Sequence, residues 1–254
     1  MAEREVRVMA VKIIDVSKHN VINDWKKVKA SGVDGVIIRA GYGRHISQKD
    51  TTFEKYYYAA KAAGLNVGAY WYSYADSPAD AKTEAEVFLT AIKGKQFELP
   101  VYFDIEEEKH VAMGKTMCTA IVAAFCDVME KAGYFCGVYS FDSFFGANLE
   151  KSVQQRYSCW VANVSRSPQF CAAYGMWQYS WEAHINGASG DVDISYCYKD
   201  FPKIIKAAYK NGYAKKAARY NVTARISGVS AEEADRLALL CKGENMTVVV
   251  CEEE

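Results

Sequence analysis

Two carboxylates one residue apart, Asp104 and Glu106, follow a short apolar run, Leu99-Pro100-Val101-Tyr102-Phe103. The run reads as a buried strand. Side chains i and i+2 of a strand share a face, so the two carboxyls sit side by side where the strand ends. Neighbouring carboxylates cannot both ionise freely, and one pKa rises. One protonated and one ionised carboxyl is the pairing that acid-catalysed cleavage of a glycosidic bond uses. The competing reading is a solvated acidic strand end, because Glu107 and Glu108 continue the charge, and Glu108 has the same parity as Glu106.

The elements that must position this pair alternate. Val11–Ile14 reads as a strand ending in Asp15, Trp25–Ala30 as a helix, and Gly35–Arg39 as a second strand. Phe53–Ala63 is a helix closed by Gly64, Asn66–Tyr72 a third strand, and Ser77-Pro78 opens a helix running to Ile92. The strand Leu99–Phe103, the helix Thr116–Lys131 and the strand Phe135–Tyr139 follow. Tyr157–Ala162, Ala173–Tyr179 and Asp191–Tyr196 are three further strands whose links are too short or too rich in Gly and Ser for full helices. The pattern predicts an α/β fold, an irregular eight-stranded barrel of the (β/α)5(β)3, TIM-like kind. Such barrels carry their chemistry at the C-terminal strand ends, where Asp15 and the Asp104/Glu106 pair both fall.

Composition narrows the function classes. The chain has 254 residues, 50% hydrophobic, with a formal net charge of zero, which argues against nucleic acid as a partner. No stretch approaches a membrane span, and the charged opening MAEREVRVMAVKIID lacks the apolar core of a signal peptide. The expectation is therefore a cytoplasmic protein. No two of the eight cysteines have C-x-x-C spacing; they read as buried free thiols of a reducing compartment. The four histidines form no ligand spacing, so neither a metal nor a cofactor is expected. Eighteen tyrosines and five tryptophans suit stacking on sugar faces, although most must serve the core.

The C-terminal end reads differently. The stretch 199–219 is basic, with a last helix in FPKIIKAAY and a linker over 211–216 after a barrel spanning 1–210. Residues 217–254 form a small β-α-β pattern. Tyr220, Val222, Ala224 and Ile226 alternate, Ser230 and Glu233 form a capping box, and Met246–Cys251 is an apolar strand. A unit this short cannot bury a core alone; it either docks onto the barrel or, the favoured reading, forms a homodimer through 217–254.

The motifs resemble those of one family, glycoside hydrolase family 25, the Chalaropsis-type lysozymes that include many phage endolysins. The matching stretches are Ile14-Asp15-Val16-Ser17, GVIIRAGYG (35–43), GAYWYSYA (68–75), PVYFDIE (100–106), GVYS (137–140), CWVANV (159–164), MWQYS (176–180) and GDVDIS (190–195). They cover residues 10–205 in order. The resemblance implies a muramidase that hydrolyses the β-1,4 bond between N-acetylmuramic acid and N-acetylglucosamine in bacterial peptidoglycan. It carries the family's acidic residues onto Asp15, Asp104, Glu106 and Asp193, with the motif choosing Asp193 over Asp191. Glu106 is then the general acid. Asp104 orients the substrate's 2-acetamido group in a retaining, substrate-assisted reaction, and Asp15 and Asp193 hold Asp104 and the sugar ring in place.

The expected sugar walls are Tyr70, Tyr72, Trp160, Trp177 and Tyr179, with Tyr42 at the cleft rim and Arg39 and Gln178 as polar contacts or buried supports. The resemblance, with no signal peptide in sight and cysteines that read as reduced, points to an endolysin, cytoplasmic until lysis and then at the cell wall; the 217–254 segment, which shows no wall-binding repeat, is read as a wall-binding or dimerisation module. The rival readings are a barrel that binds wall glycan without cutting it, which a missing carboxylate would mark, and a chitinase-like barrel. PVYFDIE lacks the preceding aspartates of the chitinase pattern.

Overall fold

The structure is a computed structural model that describes residues 10–171, 173–214 and 228–240. The chain divides into two compact units, Met1–Ala214 and Lys215–Glu254.

In the first unit the strands are β1 (Val11–Val16), β2 (Val21–Ile22), β3 (Val33–Tyr42), β4 (Asn66–Tyr72) and β5 (Val101–Asp104). They continue as β6 (Cys136–Phe141), β7 (Ser158–Ala162), β8 (Tyr174–His184), β9 (Ala188–Ser189) and β10 (Asp191–Cys197). Eight of them close a barrel in the order β1-β10-β8-β7-β6-β5-β4-β3, while β2 and β9 form a separate two-stranded ribbon. Neighbours are parallel from β1 through β3 to β8, and β10 closes the ring antiparallel to both β1 and β8.

Helices cover the first part of the ring. These are α1 (Trp25–Ala30), α2 (Phe53–Ala62), α3 (Pro78–Ala91), α4 (Glu108–Met113), α5 (Lys115–Lys131), α6 (Asp142–Asn148) and α7 (Lys151–Arg156). Among the described residues no helix links β7, β8 and β10, so the barrel has the expected five covered and three bare strands. The caps follow the sequence. Asp24 accepts from the backbone N–H of Lys26 and Lys27 at the start of α1, and Ser77 caps α3 with Pro78 in its first turn. Sequence periodicity missed α4, α6 and α7 because six or seven residues hold too few turns to show a helical repeat.

Side-chain alternation sorts the barrel strands into two faces. One packs under the helices through Val36, Ile38, Val67, Trp71, Phe103 and Val138, among others. The other fills the barrel interior with Ile13, Ile37, Leu99, Tyr102, Trp160 and Met176. Gly137 makes room for this filling: a Cβ there would lie 2.5 Å from the Tyr102 ring. Two residues further along each strand, the inward positions turn polar. Ile13 gives way to Asp15, Ile37 to Arg39, Tyr102 to Asp104 and Met176 to Gln178. A dry plug therefore carries a polar layer at the C-terminal strand ends.

The opposite end is sealed by the segment after α8 (Phe201–Ala207). The stretch read from sequence as a linker from 211 begins as part of the barrel. Asn211 is fully buried at φ 55°, its Nδ2 donates to Leu99 O at 2.9 Å and its Oδ1 accepts from Phe135 N at 2.6 Å. Its backbone joins Gly133 O and Phe97 N, and Tyr213 donates its hydroxyl proton to Glu98. The chain is thus tied to the entries of β5 and β6 before the unit ends at Ala214.

The second unit is described over 228–240, where α9 (Ala231–Leu240) carries the expected capping box. Glu233 Oε2 accepts from Ser230 N at 2.9 Å and Ser230 Oγ accepts from Glu233 N at 3.4 Å. The strands expected at 220–226 and 246–251, and the dimer contact they would make, lie outside the described residues. Among the described residues no helix is long and apolar enough to cross a membrane.

Asn211→Ala should lower unfolding stability by about 2–4 kcal/mol. It strands a buried N–H and a buried C=O and places a Cβ-bearing residue without a side-chain hydrogen bond at positive φ. Chemical denaturation of the purified variant measures this, and activity per folded molecule should not change.

Candidate active site

The polar layer brings the four carboxyls of the sequence motifs together. Asp15 and Asp193 are direct partners in the antiparallel β1–β10 pair, so their side chains lie side by side on the inner face. Asp104 ends β5, 4% exposed, opposite Tyr72 on one side and Tyr139 on the other. Glu106 lies past the strand end, but pairing with β6 continues. Ile105 N donates to Tyr139 O at 3.1 Å and Ser140 Oγ donates to Ile105 O at 2.5 Å. That keeps Ile105 facing outward into the core and Glu106 on the Asp104 face.

Gln178 ties the ring. Its Nε2 donates to Asp15 Oδ2 at 2.9 Å and to Asp193 Oδ2 at 3.4 Å. Its Oε1 accepts from Tyr139 OH at 2.8 Å and from Trp181 Nε1 at 3.0 Å. Every hydrogen-bonding position of this buried amide is used, which fixes both carboxyls. The two neighbours that share parity with the motif carboxyls lie outside the ring. Asp191 is exposed and pairs with His184, and Glu108 is exposed at the start of α4.

The electrostatics follow from burial and crowding. Glu106 is pushed up to about 7, first by burial, then by the charges of Asp193 and Glu107. Asp193 is raised to about 6 by burial, against a hydrogen bond from Asp15 that favours its charged form. Burial and the Asp193 charge hold Asp15 well above the carboxylate range, so Asp15 keeps the proton shared between the two. Asp104 is likewise raised by burial and then by Glu106 and Asp15, with Arg39 opposing, and its Oδ1 is buried with no partner. At neutral pH the ring holds some protonated and some ionised carboxyls, as proton transfer requires.

One side of the cleft gathers three of the residues expected to contact sugar. A cavity of about 400 Å³ is lined by Arg39, Tyr42 and Tyr72, together with Lys18, His19 and Tyr74, which sequence reasoning did not single out. Tyr72 donates to Glu107 Oε1 at 2.5 Å, and the Tyr74 ring lies 5.3 Å from Tyr72 and 6.0 Å from Tyr42. Arg39 is held by Asp50 at 2.8 Å, leaving its Nη2 buried without a partner. Tyr70 is half-buried, and its phenol is pushed up by burial and by the charges of Asp15 and Asp104, which places it against the ring.

Three expected sugar walls lie elsewhere. Trp160 is 2% exposed and donates to Ser195 Oγ at 3.0 Å, with its ring 4.5 Å from Tyr139 and 5.1 Å from Tyr102. It is the floor under the carboxyls rather than a wall. Trp177 and Tyr179 flank inward-facing Gln178 and therefore point out of the barrel. There Trp177 donates to Asn163 O at 2.9 Å and Tyr179 stacks on Tyr196 at 4.3 Å. Besides Lys18, His19 and Tyr74, the residues missed were Tyr139 and Trp181. Tyr139, two positions after Gly137 within β6, was open to a parity argument. Trp181 was not, because β8 runs five residues beyond Tyr179, with register shifts opposite β10.

Comparison with known proteins agrees with this geometry. The model of the glycosyl hydrolases family 25 matches residues 14–188. The autolytic lysozyme of Clostridium acetobutylicum is 32% identical over 187 residues, covering 72% of this chain and 55% of its own length. The CTP1L endolysin structure superposes with a TM-score of 0.66 at 29% identity, covering 78% of this chain and 70% of that one. The modular autolysin LytC of Streptococcus pneumoniae gives 0.67 at 31% identity, over 74% of this chain and 47% of that one. The chain thus spans about half the length of the clostridial and pneumococcal relatives. On the family match and the barrel it describes, the chain belongs to glycosyl hydrolases family 25.

Proposed function

We propose that the protein is a peptidoglycan muramidase cleaving the β-1,4 bond between N-acetylmuramic acid and N-acetylglucosamine. The observation that carries this is the convergence of Asp15, Asp104, Glu106 and Asp193 on one inner face, with Glu106 poised near neutrality. Similarity to a lysozyme and an endolysin, and the solution of LytC with a synthetic peptidoglycan ligand, support the substrate class.

In this reading Glu106 donates its proton to the leaving glycosidic oxygen. Asp104 Oδ1, a buried acceptor without a donor, takes the N–H of the 2-acetamido group and turns its carbonyl oxygen toward the anomeric carbon. Positive charge developing on the acetamido group strengthens its N–H hydrogen bond to Asp104 Oδ1, which offsets that charge with no proton leaving the pair. Asp15, Asp193 and Gln178 hold the geometry. Tyr70, Tyr72 and Tyr42 take the sugar faces, and Arg39 supports Asp104. A glycan-binding barrel without catalysis would need no proton donor near neutrality.

We also propose an endolysin's course, cytoplasmic until lysis and then at the wall. The likeness to CTP1L and the six described cysteines, all buried free thiols, support it. Residues 217–254 are proposed to pair with a second copy and to add a wall-binding surface.

Glu106→Gln should lower wall lysis roughly 10²–10⁴-fold in turbidity assays with the fold intact by circular dichroism. The same change should raise Tm by a few degrees at pH 7.5 and not at pH 4. A carboxyl whose folded pKa is raised binds more protons folded than unfolded between those pH values, so it costs stability as pH rises toward 7.

Activity should follow a bell in pH. Deprotonation of Glu106 through about 7 removes the donor on the alkaline side, and protonation of Asp193 through about 6 removes a charge on the acid side. An optimum near pH 6–7 in initial rates on purified walls is expected, and Asp193→Asn should move the acid limb.

Light scattering should show a dimer for the full chain and a monomer for a 1–214 truncation, with the truncation sedimenting less with walls. Two monomers would refute the pairing.

A further inference from the structure

A second cavity opens beside the carboxyl ring, at the C-terminal ends of β6 and β7 and against the far half of β8. It encloses about 270 Å³ and takes no part in the chemistry above. Its walls concentrate exposed apolar surface: Phe141 (36% exposed), Val164 (43%), Phe170 (54%) and Trp181 (43%) all line it. Soluble proteins seldom group such side chains around one hollow without a ligand to cover them.

The hollow is prebuilt. Buried Asp142 spends its carboxylate on the loop that forms one wall, accepting from the backbone N–H of Gln169 at 2.8 Å, Phe170 at 3.0 Å and Cys171 at 3.3 Å, and from Asn163 Nδ2 at 3.2 Å. Asn163 Oδ1 in turn accepts from Ser165 N and from Arg166 N. With those polar groups consumed by the frame, the cavity offers apolar walls and one uncommitted charge. That charge is Arg166, exposed at the lining and in no ion pair among the described residues.

The hollow has few free polar partners for sugar hydroxyls. It suits a short aliphatic chain bearing a carboxylate. The cavity is also tied to the reaction site, because Trp181 in its wall donates to Gln178, the amide that fixes Asp15 and Asp193. We propose that it seats the alanine-containing, carboxylate-bearing peptide stem attached to the lactyl group of muramic acid, with Arg166 pairing the stem carboxylate. This rests on the muramidase reading and extends it, making the enzyme a reader of the substituted glycan and not of the bare sugar chain.

The test uses full-length protein, wild type and Arg166→Gln, on two substrates: soluble glycan strands carrying stems, and the same strands stripped by an amidase. Wild type should show the higher kcat/KM on stem-bearing strands. Arg166→Gln should lose roughly 3- to 30-fold on those strands alone, the range of a charge-assisted contact, and match wild type on stripped strands. Arg166→Lys should recover part of the loss. Equal rates of wild type on both substrates, or an Arg166→Gln effect that is absent or the same on both, overturns the stem assignment while leaving the muramidase intact. If wild type cuts neither strand, the muramidase reading falls and the stem site with it.

Discussion

Closing a barrel of parallel strands with one antiparallel strand is the constraint on which this site depends. Because β10 runs against β1, Asp15 and Asp193 face each other directly in the ladder, both at the rim, although they lie far apart in the sequence. A parallel β10 would have carried Asp193 toward the other end of the barrel. The antiparallel pairing with β8 places Ser195 opposite Gln178, so the amide reaches both carboxyls from the neighbouring strand.

The arrangement works against stability. Four carboxyls crowd over a dry interior of Tyr102, Trp160 and Met176, and burial is the first cause of every upward shift among them. The fold offsets this with two large apolar layers and with buried ties such as Asn211 and Asp50. Burial alone would raise Asp50, but the hydrogen bonds from Thr52, Lys18 and Arg39 prevail and hold it low. The contrast between Asp50 and Asp104 shows the division of labour. The Asp50 carboxylate has its donors, whereas Asp104 keeps one buried oxygen without a partner.

The cleft is asymmetric for the same topological reason. On the β3–β4 side, tyrosines and basic groups line an open cavity suited to sugar. On the β6–β8 side, the start of α6 and the link between β7 and β8 build a different, more apolar hollow. The bare outer wall of β8 and β10 instead collects Trp177, Tyr179 and Tyr196 into a packed aromatic cluster, which satisfies rings that a sequence motif alone presents as sugar platforms.

Local chemistry settled a good deal before any coordinates. Apolar runs of strand length, Ser77-Pro78, and the Ser230/Glu233 box mark their elements through short-range sterics and capping, and β4 and α1 begin and end where the residues say. The i, i+2 rule put Asp104 and Glu106 on one face, and that needed nothing beyond strand geometry. What the sequence could not decide depended on partners far along the chain. The inward turn of Gln178 that sends Trp177 and Tyr179 outward, the pairing of Asp193 with Asp15, and the depth of Trp160 are all set by register between strands. A one-residue slip reverses a face, and only the closed barrel fixes it. Asn211 is the extreme case. A residue that reads locally as linker is buried because the entries of β5 and β6 leave a backbone N–H and a carbonyl that only its side chain reaches.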